Sequence, residues 1–121
     1  IIQLGGIIRH SSASAVSEYA IRMLDNFSCS KLFLGVDGID PEYGLSTTHN
    51  QEACLNQAMI AAATKTIVLA DSSKFGRRGF SKICNMSDID WVITDSGISP
   101  KMLEAIEEQG VKVTIVPLPE A

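Results

Sequence analysis

Two aspartates in the first half of the chain are spaced for hydrogen bonding to one polar ligand. They belong to the segment Asp37-Gly38-Ile39-Asp40, which directly follows the apolar run KLFLGV at 31–36. In an open α/β sheet, ligands bind outside the carboxyl ends of the strands, so this segment is a candidate site. Carboxylates placed there accept hydrogen bonds from sugar hydroxyl groups. The alternative is that Asp and Gly are ordinary turn residues here.

A second polar run, Gly44-Leu45-Ser46-Thr47-Thr48, leads into a predicted helix. Thr48 and Gln51 have the spacing of a capping box, with Thr48 as the N-cap. Free backbone N–H groups and hydroxyl groups at a helix start attract an anion such as phosphate, although these residues are also ordinary helix caps. Glu52 lies one turn into this helix. There it serves as a general base, as a hydroxyl acceptor, or as a first-turn acid favoured by the helix dipole.

The third candidate site is a basic loop that follows the apolar run TIVLA at 66–70. Residues 65–82 hold five of the ten basic residues and one acidic residue, in a chain with a net charge of −4. Lys74 follows the strand and two hydroxyl residues, so we expect it to meet an anionic ligand. We interpret Arg77 and Arg78 as solvated surface charges.

Other residue types argue against several classes of site. His10 and His49 have no partners at metal-ligand spacing, and no P-loop, GxGxxG or Ser-His-Asp pattern occurs, so we predict no metal and no cofactor. Cys29, Cys54 and Cys84 lack CxxC spacing and are typical of reduced, buried thiols. No apolar run approaches the ~18 residues of a membrane span. The acidic charge balance makes the chain a poor binder of nucleic acid.

The elements that must position these residues alternate between strands and helices. This alternation is typical of βα units around a mostly parallel sheet flanked by helices, which is the predicted α/β fold. Ser14 is the predicted N-cap of the first helix, and Ser99-Pro100 begins the last, which stops at Gly110. The strands are predicted at 1–4, 31–36, 66–70, 80–84, 91–94 and 111–116, and the helices at 14–27, 48–63 and 99–110.

Long motifs occur in a fixed order through nearly the whole chain. They are LGG (4–6), FLGVDGIDPEYGLSTT (33–48), QEACLNQAMI (51–60), VLADSSKFG (68–76), DIDWVITD (88–95) and EEQGVKVTIV (107–116). Together they resemble the C-terminal sensor domain of DeoR-family transcriptional repressors. The combination of GIDxxxGLSTT with a later LADSSKFG makes this resemblance specific.

The resemblance implies a fold similar to ribose-5-phosphate isomerase, glucosamine-6-phosphate deaminase and coenzyme A transferases. It also implies a regulator of carbohydrate metabolism, which we expect to be a homo-oligomer. The reduced cysteines favour a cytoplasmic protein. Its effector is a phosphorylated sugar that relieves repression, and operator DNA is bound by a separate N-terminal winged helix-turn-helix. The effector-binding residues that the resemblance implies are Asp37, Gly38, Asp40, Glu52 and Lys74, with Gly44, Ser46, Thr47 and Thr48 near the phosphate.

Residues 1–121 depart from the family pattern in two ways. They contain no winged helix-turn-helix, and they begin late. Family sensor domains have about another half-domain before LGG, including a Gly-Thr-Thr loop that resembles a further phosphate cradle. We therefore expect residues 1–121 to be one part of a sugar-phosphate sensor domain.

A sugar-phosphate isomerase or deaminase of the same fold is the alternative function. The segment DGID resembles the DGAD of ribose-5-phosphate isomerases, and Glu52 resembles their catalytic base in position. Those enzymes carry a lysine between the aspartates and the glutamate, whereas residues 41–51 contain no Lys or Arg. The cation that would stabilise an enediolate is therefore missing, and we expect a sensor and not an enzyme. A purely structural oligomerisation module would leave the charged residues at the strand ends without a role.

Overall fold

The computed structural model describes residues 1–12 and 14–119. Two short 3-10 turns, Ser72–Lys74 and Met86–Asp88, accompany the regular elements. In chain order, these elements are β1 (Ile7–Arg9), β2 (Ser14–Val16), α1 (Glu18–Leu24), β3 (Cys29–Gly35), β4 (Gly38–Asp40), β5 (Gly44–Thr47), α2 (Asn50–Ala62), β6 (Ala63–Leu69), β7 (Ser81–Cys84), β8 (Trp91–Asp95), α3 (Pro100–Glu108) and β9 (Lys112–Val116).

The main sheet is parallel and has the strand order β3-β6-β8-β9. The β-branched residues in its central strands, TIV in β6 and VIT in β8, favour the extended conformation and pack well on a pleated surface. A smaller antiparallel sheet has the order β4-β5-β7, and β1 pairs with β2 as a hairpin. The predicted α/β fold, with a mostly parallel sheet flanked by helices, is confirmed.

The core lies on one face of the parallel sheet. Leu34, Val68 and Val92 are neighbours in register across β3, β6 and β8, and all three are buried. Ala53 of α2 and Ile106 of α3 belong to the same hydrophobic cluster, so both helices cover this face. Burial of such aliphatic side chains supplies most of the driving force for folding.

The opposite face of the same sheet is only partly covered by the residues that the structure describes. Phe33 of β3 and Leu69 of β6 point to this side and remain 60% and 46% exposed. Between them in the sheet, Ile67 is fully buried, while Trp91 of β8 is half-buried beneath Lys112 Nζ, which lies 4.4 Å from its ring centroid. Parallel sheets are normally covered on both faces, so this exposed apolar surface is unusual.

Helix α3 begins and ends where the sequence predicts. Ser99 Oγ accepts a hydrogen bond from the Met102 backbone N–H at 3.2 Å, and Pro100 occupies the first turn. Gly110 follows the helix with a φ of 84°, the left-handed conformation that ends many helices. The strands predicted at 66–70, 80–84, 91–94 and 111–116 are likewise present, with boundaries shifted by three residues at most.

The predictions for the first 27 residues are wrong in two respects. No strand forms at residues 1–4, and Ser14 is the first residue of β2 and does not cap a helix. Helix α1 begins only at Glu18. The helical spacing of apolar residues that suggested an earlier start is real, but the segment before Glu18 pairs with β1 instead.

The segment 37–48, predicted to be a polar loop, forms the strands β4 and β5. Both are short and buried, and they contain Gly and Ser, which are uncommon in strands. The capping box at Thr48 is also wrong. His49 is the N-cap residue of α2, and it makes no side-chain capping hydrogen bond.

The thiols are less buried than predicted. Cys29 and Cys54 are exposed, whereas Cys84 is half-buried and burial raises its pKa to about 12. None of the helices in the described residues is long and apolar enough to cross a membrane.

Candidate functional site

The basic loop after β6 folds back onto the β4–β5 pair, and two glycines permit this close approach. A Cβ on Gly38 would lie 2.5 Å from the Arg77 carbonyl oxygen, and one on Gly79 would lie 2.7 Å from the Thr47 carbonyl oxygen. The Gly79 backbone N–H donates to Ser46 Oγ at 2.7 Å. Gly38 therefore allows the basic loop to pack closely against β4. This packing holds the arginines of the loop beside the aspartates of the DGID segment.

Asp37 lies at the wall of an open cavity of about 380 Å³, here called the Asp37 cavity. Its Oδ2 accepts hydrogen bonds from Thr47 Oγ1 at 2.7 Å and from the Thr48 backbone N–H at 3.3 Å. The Asp37 carboxylate thus already accepts the hydrogen bond of the Thr48 backbone N–H, which would otherwise be free to bind an anion at the start of α2. The cavity is lined by Asp37, Thr48, Arg77, Arg78 and Gly79.

Asp40 is committed to the protein's own groups. Its Oδ1 accepts hydrogen bonds from the backbone N–H groups of Glu42 and Tyr43, both at 2.9 Å. Its Oδ2 accepts a hydrogen bond from Arg78 Nε at 3.1 Å. These contacts, the Tyr43 hydrogen bond first among them, lower the pKa of Asp40. The guanidinium of Arg78 also lies 5.3 Å from the Tyr43 ring centroid. Arg78, predicted to be a solvated surface charge, is exposed and also forms an ion pair with Asp40.

Glu52 is held by the β1–β2 hairpin. Its Oε1 accepts hydrogen bonds from Ser14 Oγ at 2.7 Å and Ser12 Oγ at 2.9 Å, and Arg9 Nη1 lies 2.8 Å from the same oxygen. Burial alone would raise the pKa of Glu52, but the Ser14, Ser12 and Arg9 contacts outweigh it and the net pKa is lowered. Glu52 is therefore an ionised hydrogen-bond acceptor near neutral pH.

A second cavity, of about 420 Å³ and here called the Glu52 cavity, opens beside this carboxylate. It combines a few polar groups with apolar walls, a composition that is typical of small-molecule sites. The polar lining residues are Ser12, Ser14, Glu52 and Asn56, and the remaining ones are Val16, Phe33, Leu34, Gly35, Leu55 and Met59.

The cations of the basic loop have different surroundings. Arg77 is exposed and lines the Asp37 cavity, whereas Lys74 is half-buried at the end of the 3-10 turn that follows β6. Within residues 1–12 and 14–119, neither forms a salt bridge to a carboxylate. Lys82 Nζ donates to Asn85 Oδ1 at 2.6 Å. Lys74 and Arg77 are thus the loop cations that can pair with an anionic ligand.

Three predicted phosphate-site residues are buried in β5. Gly44, Ser46 and Thr47 pair with β4 and β7, and their side-chain or backbone contacts are to other protein groups. Of the run 44–48, Thr48 is the residue that lines a cavity. The structure thus brings Asp37, Thr48 and Arg77 together at one cavity and places Glu52 at a separate one. Lys74 lines neither cavity.

Sequence reasoning missed the residues of the hairpin. Arg9, Ser12 and Ser14 reach Glu52 from 38 to 43 positions away, and no local motif marks them. In the part of the chain that the structure describes, no three His, Cys, Asp or Glu side chains gather as metal ligands.

Comparison with known proteins places the chain in a family. Residues 1–96 match the DeoR C-terminal sensor domain. The uncharacterized HTH-type transcriptional regulator YulB of Bacillus subtilis is 41% identical over 118 residues, which are 98% of this chain and 46% of that regulator. The HTH-type transcriptional regulator GlpR of Haloferax volcanii is 35% identical over 90% of this chain and 43% of its own length.

A third relative, the transcriptional repressor AccR of Agrobacterium fabrum, is 31% identical over 96% of the chain and 45% of its own length. The chain therefore spans less than half the length of the relatives it matches. These relatives are named as transcriptional regulators or repressors, and the family match covers most of the chain. The chain belongs to the family of DeoR C-terminal sensor domains.

Proposed function

We propose that residues 1–121 bind a phosphorylated sugar as the effector of a transcriptional regulator. Binding then changes the affinity of a separate N-terminal domain for operator DNA. The observation that carries this proposal is the pairing of two ligand-accessible carboxylates, Asp37 and Glu52, with a basic loop in an acidic chain. Carboxylates accept hydrogen bonds from sugar hydroxyl groups, and the loop cations balance the phosphate charge.

The carboxylates and the loop cations should bind different parts of the ligand. A phosphate beside Asp37 or Glu52 would be repelled, so the sugar hydroxyl groups lie against these carboxylates. The phosphate lies toward Lys74 and Arg77, the loop cations that have no carboxylate partner among residues 1–12 and 14–119. Thr48 lies on the same cavity wall as Arg77 and supplies a hydroxyl group there.

The surroundings of Glu52 support binding and not proton abstraction. A general base works best when its pKa lies near the working pH, whereas the pKa of Glu52 is lowered. One of its oxygens already accepts from three donors. We therefore propose that this chain is a sensor and not a sugar-phosphate isomerase or deaminase, which is the alternative function.

A panel of sugar phosphates tests the proposed function on the full-length protein. At 100 times its dissociation constant, the effector should stabilise the protein by about 2.7 kcal/mol, measured as a shift in unfolding temperature. The unphosphorylated sugar should give a much smaller shift, because it lacks the charge that the loop cations bind. Asp37→Ala should reduce the shift, whereas Asp25→Ala, at the end of α1 and away from both cavities, should not.

Two outcomes would contradict this proposal. One is that no sugar phosphate stabilises the protein, or that the free sugar does so equally well. The other is rapid turnover of the bound sugar phosphate, near the ~10 s⁻¹ typical of enzymes, which would favour an isomerase or deaminase.

The open face of the parallel sheet bears on the extent of the domain. We propose that residues 1–121 are part of a larger sensor domain, in which further polypeptide covers Phe33, Leu69 and Trp91. The exposed apolar surface supports this, because a parallel sheet is stable when both faces are buried. The relatives are also more than twice as long as the matched segment.

Substitution of Phe33 tests whether this face is covered in the full-length protein. Phe33→Ala should lower the free energy of unfolding by roughly 3–5 kcal/mol, the usual cost of removing a buried aromatic ring. The matched control is Tyr19→Ala on α1, which is 70% exposed and should change stability by less than about 0.5 kcal/mol. Equal, small effects in urea unfolding would mean that the face stays open to solvent.

A further inference from the structure

The β1–β2 hairpin directs three donors to a single oxygen of Glu52. Arg9 Nη1, Ser12 Oγ and Ser14 Oγ all lie within 2.9 Å of Oε1. Among residues 1–12 and 14–119, no donor reaches the other oxygen, Oε2. An ionised carboxylate has about four lone-pair sites, so Oε2 keeps its full capacity to accept hydrogen bonds.

The neighbouring cavity is suited to a hydroxylated carbon chain. Asn56 follows Glu52 by one helical turn and lies on the same face of α2, where its amide both donates and accepts hydrogen bonds. Leu55 and Met59 of α2 supply apolar walls. Such a mixture packs against C–H groups while reading hydroxyl positions. A phosphate group does not fit beside the Glu52 carboxylate, because the two charges repel each other.

We propose that the hairpin is a specificity-determining part of the effector site. Arg9, Ser12 and Ser14 hold Glu52 so that Oε2 accepts a hydrogen bond from a hydroxyl group of the ligand. This inference rests on the proposed function, in which the ligand is a phosphorylated sugar. Arg9 is a positioning residue, because it acts through Glu52. Arg9 thereby affects which sugar is bound and does not contact the phosphate.

Calorimetry on the full-length protein tests the role of Arg9. Arg9→Met should weaken binding of the tightest sugar phosphate about tenfold, because a hydrogen bond to a charged acceptor becomes misplaced. Affinity for inorganic phosphate should change by less than about twofold, and Arg9→Lys should restore most of the sugar-phosphate affinity. The control is Arg22→Met, which also removes an arginine that pairs with a glutamate, Glu18 at 3.9 Å, but on exposed α1.

The pH dependence of affinity separates positioning from a general loss of folding. Glu52 accepts a ligand hydrogen bond only when it is ionised, so affinity should fall as the pH drops through its pKa. Arg9 is the charged group that faces Glu52 from the hairpin, and its contact helps to lower that pKa; the Ser12 and Ser14 hydroxyls are neutral. In Arg9→Met the loss of affinity should therefore begin at a higher pH than in the wild type or in Arg22→Met.

The outcomes distinguish the two proposals. If the wild type binds a sugar phosphate and Arg9→Met binds it equally well with the same pH profile, the hairpin has no such role, while the proposed function stands. Equal losses for sugar phosphate and inorganic phosphate, with an unchanged pH profile, also overturn the inference. If the wild type binds no sugar phosphate, the proposed function fails and the inference fails with it.

Discussion

Gly44→Ala is expected to lower the free energy of unfolding of the full-length protein by about 3 kcal/mol or more. Gly44 has a φ of 105°, which an alanine adopts only with strain. A Cβ at this position would also lie 2.1 Å from the Cys84 carbonyl oxygen, which belongs to the backbone of β7 and cannot simply rotate away. Strain and overpacking each cost roughly 1–3 kcal/mol, so together they should disrupt the pairing of β5 with β7.

Urea unfolding with a second glycine variant provides the control for Gly44→Ala. Gly35→Ala is also in a strand, but a Cβ there meets no atom within 4 Å. Its effect should stay below about 1 kcal/mol and can be stabilising, because glycine weakens a strand. If both variants unfold at the same urea concentration, the close approach of β5 to β7 is not what requires glycine at position 44.

If the phosphate extends beyond the Asp37 cavity to a partly desolvated contact with Lys74, Lys74→Met should weaken effector binding by roughly 2–5 kcal/mol, the range for removing one partner of a buried charge pair. Lys74 is half-buried, and it has no carboxylate partner within the described ranges 1–12 and 14–119. Methionine keeps most of the side-chain length and packing while it deletes the charge. In cells, the full-length variant should still repress transcription, but it should fail to release DNA when the sugar phosphate accumulates.

Two arginine variants in the same loop complete this experiment. Arg77 lines the Asp37 cavity but is exposed, so Arg77→Met should cost about 1 kcal/mol of binding energy or less. Arg78→Met should leave affinity close to that of the wild type, because Arg78 already pairs with Asp40. Calorimetry that finds unchanged affinity in Lys74→Met and a large loss in Arg77→Met would identify Arg77 as the cation that binds the phosphate.

The sequence alone was sufficient for elements whose signals are local. The apolar runs TIVLA and WVIT predict β6 and β8, and Ser99-Pro100 with Gly110 predicts both ends of α3. These signals depend on backbone propensity and on capping within a few residues, so they survive without knowledge of the fold. The long motifs from LGG to EEQGVKVTIV likewise identified the family, which the match over residues 1–96 confirms.

The strands β4 and β5 form through contacts with distant segments, which no local sequence pattern predicts. Their Gly, Ser and Asp residues predicted a loop, but β5 pairs with β7, which lies more than 30 residues further along the chain. The loop after β6 then packs on this pair through Gly38 and Gly79. Polar residues that look like a turn in sequence are thus buried strand residues whose hydrogen bonds are satisfied inside the protein.

The candidate site likewise contains residues that the sequence predicts and contacts that only the structure reveals. The sequence predicted Asp37, Glu52 and Lys74 from residue type and from their position after strands or in a first helical turn. Only the tertiary structure paired Asp40 with Arg78 across 38 positions and placed the hairpin donors on Glu52. The reason is physical: a side chain's type sets what it can bind, whereas the partner that it meets depends on how distant segments pack.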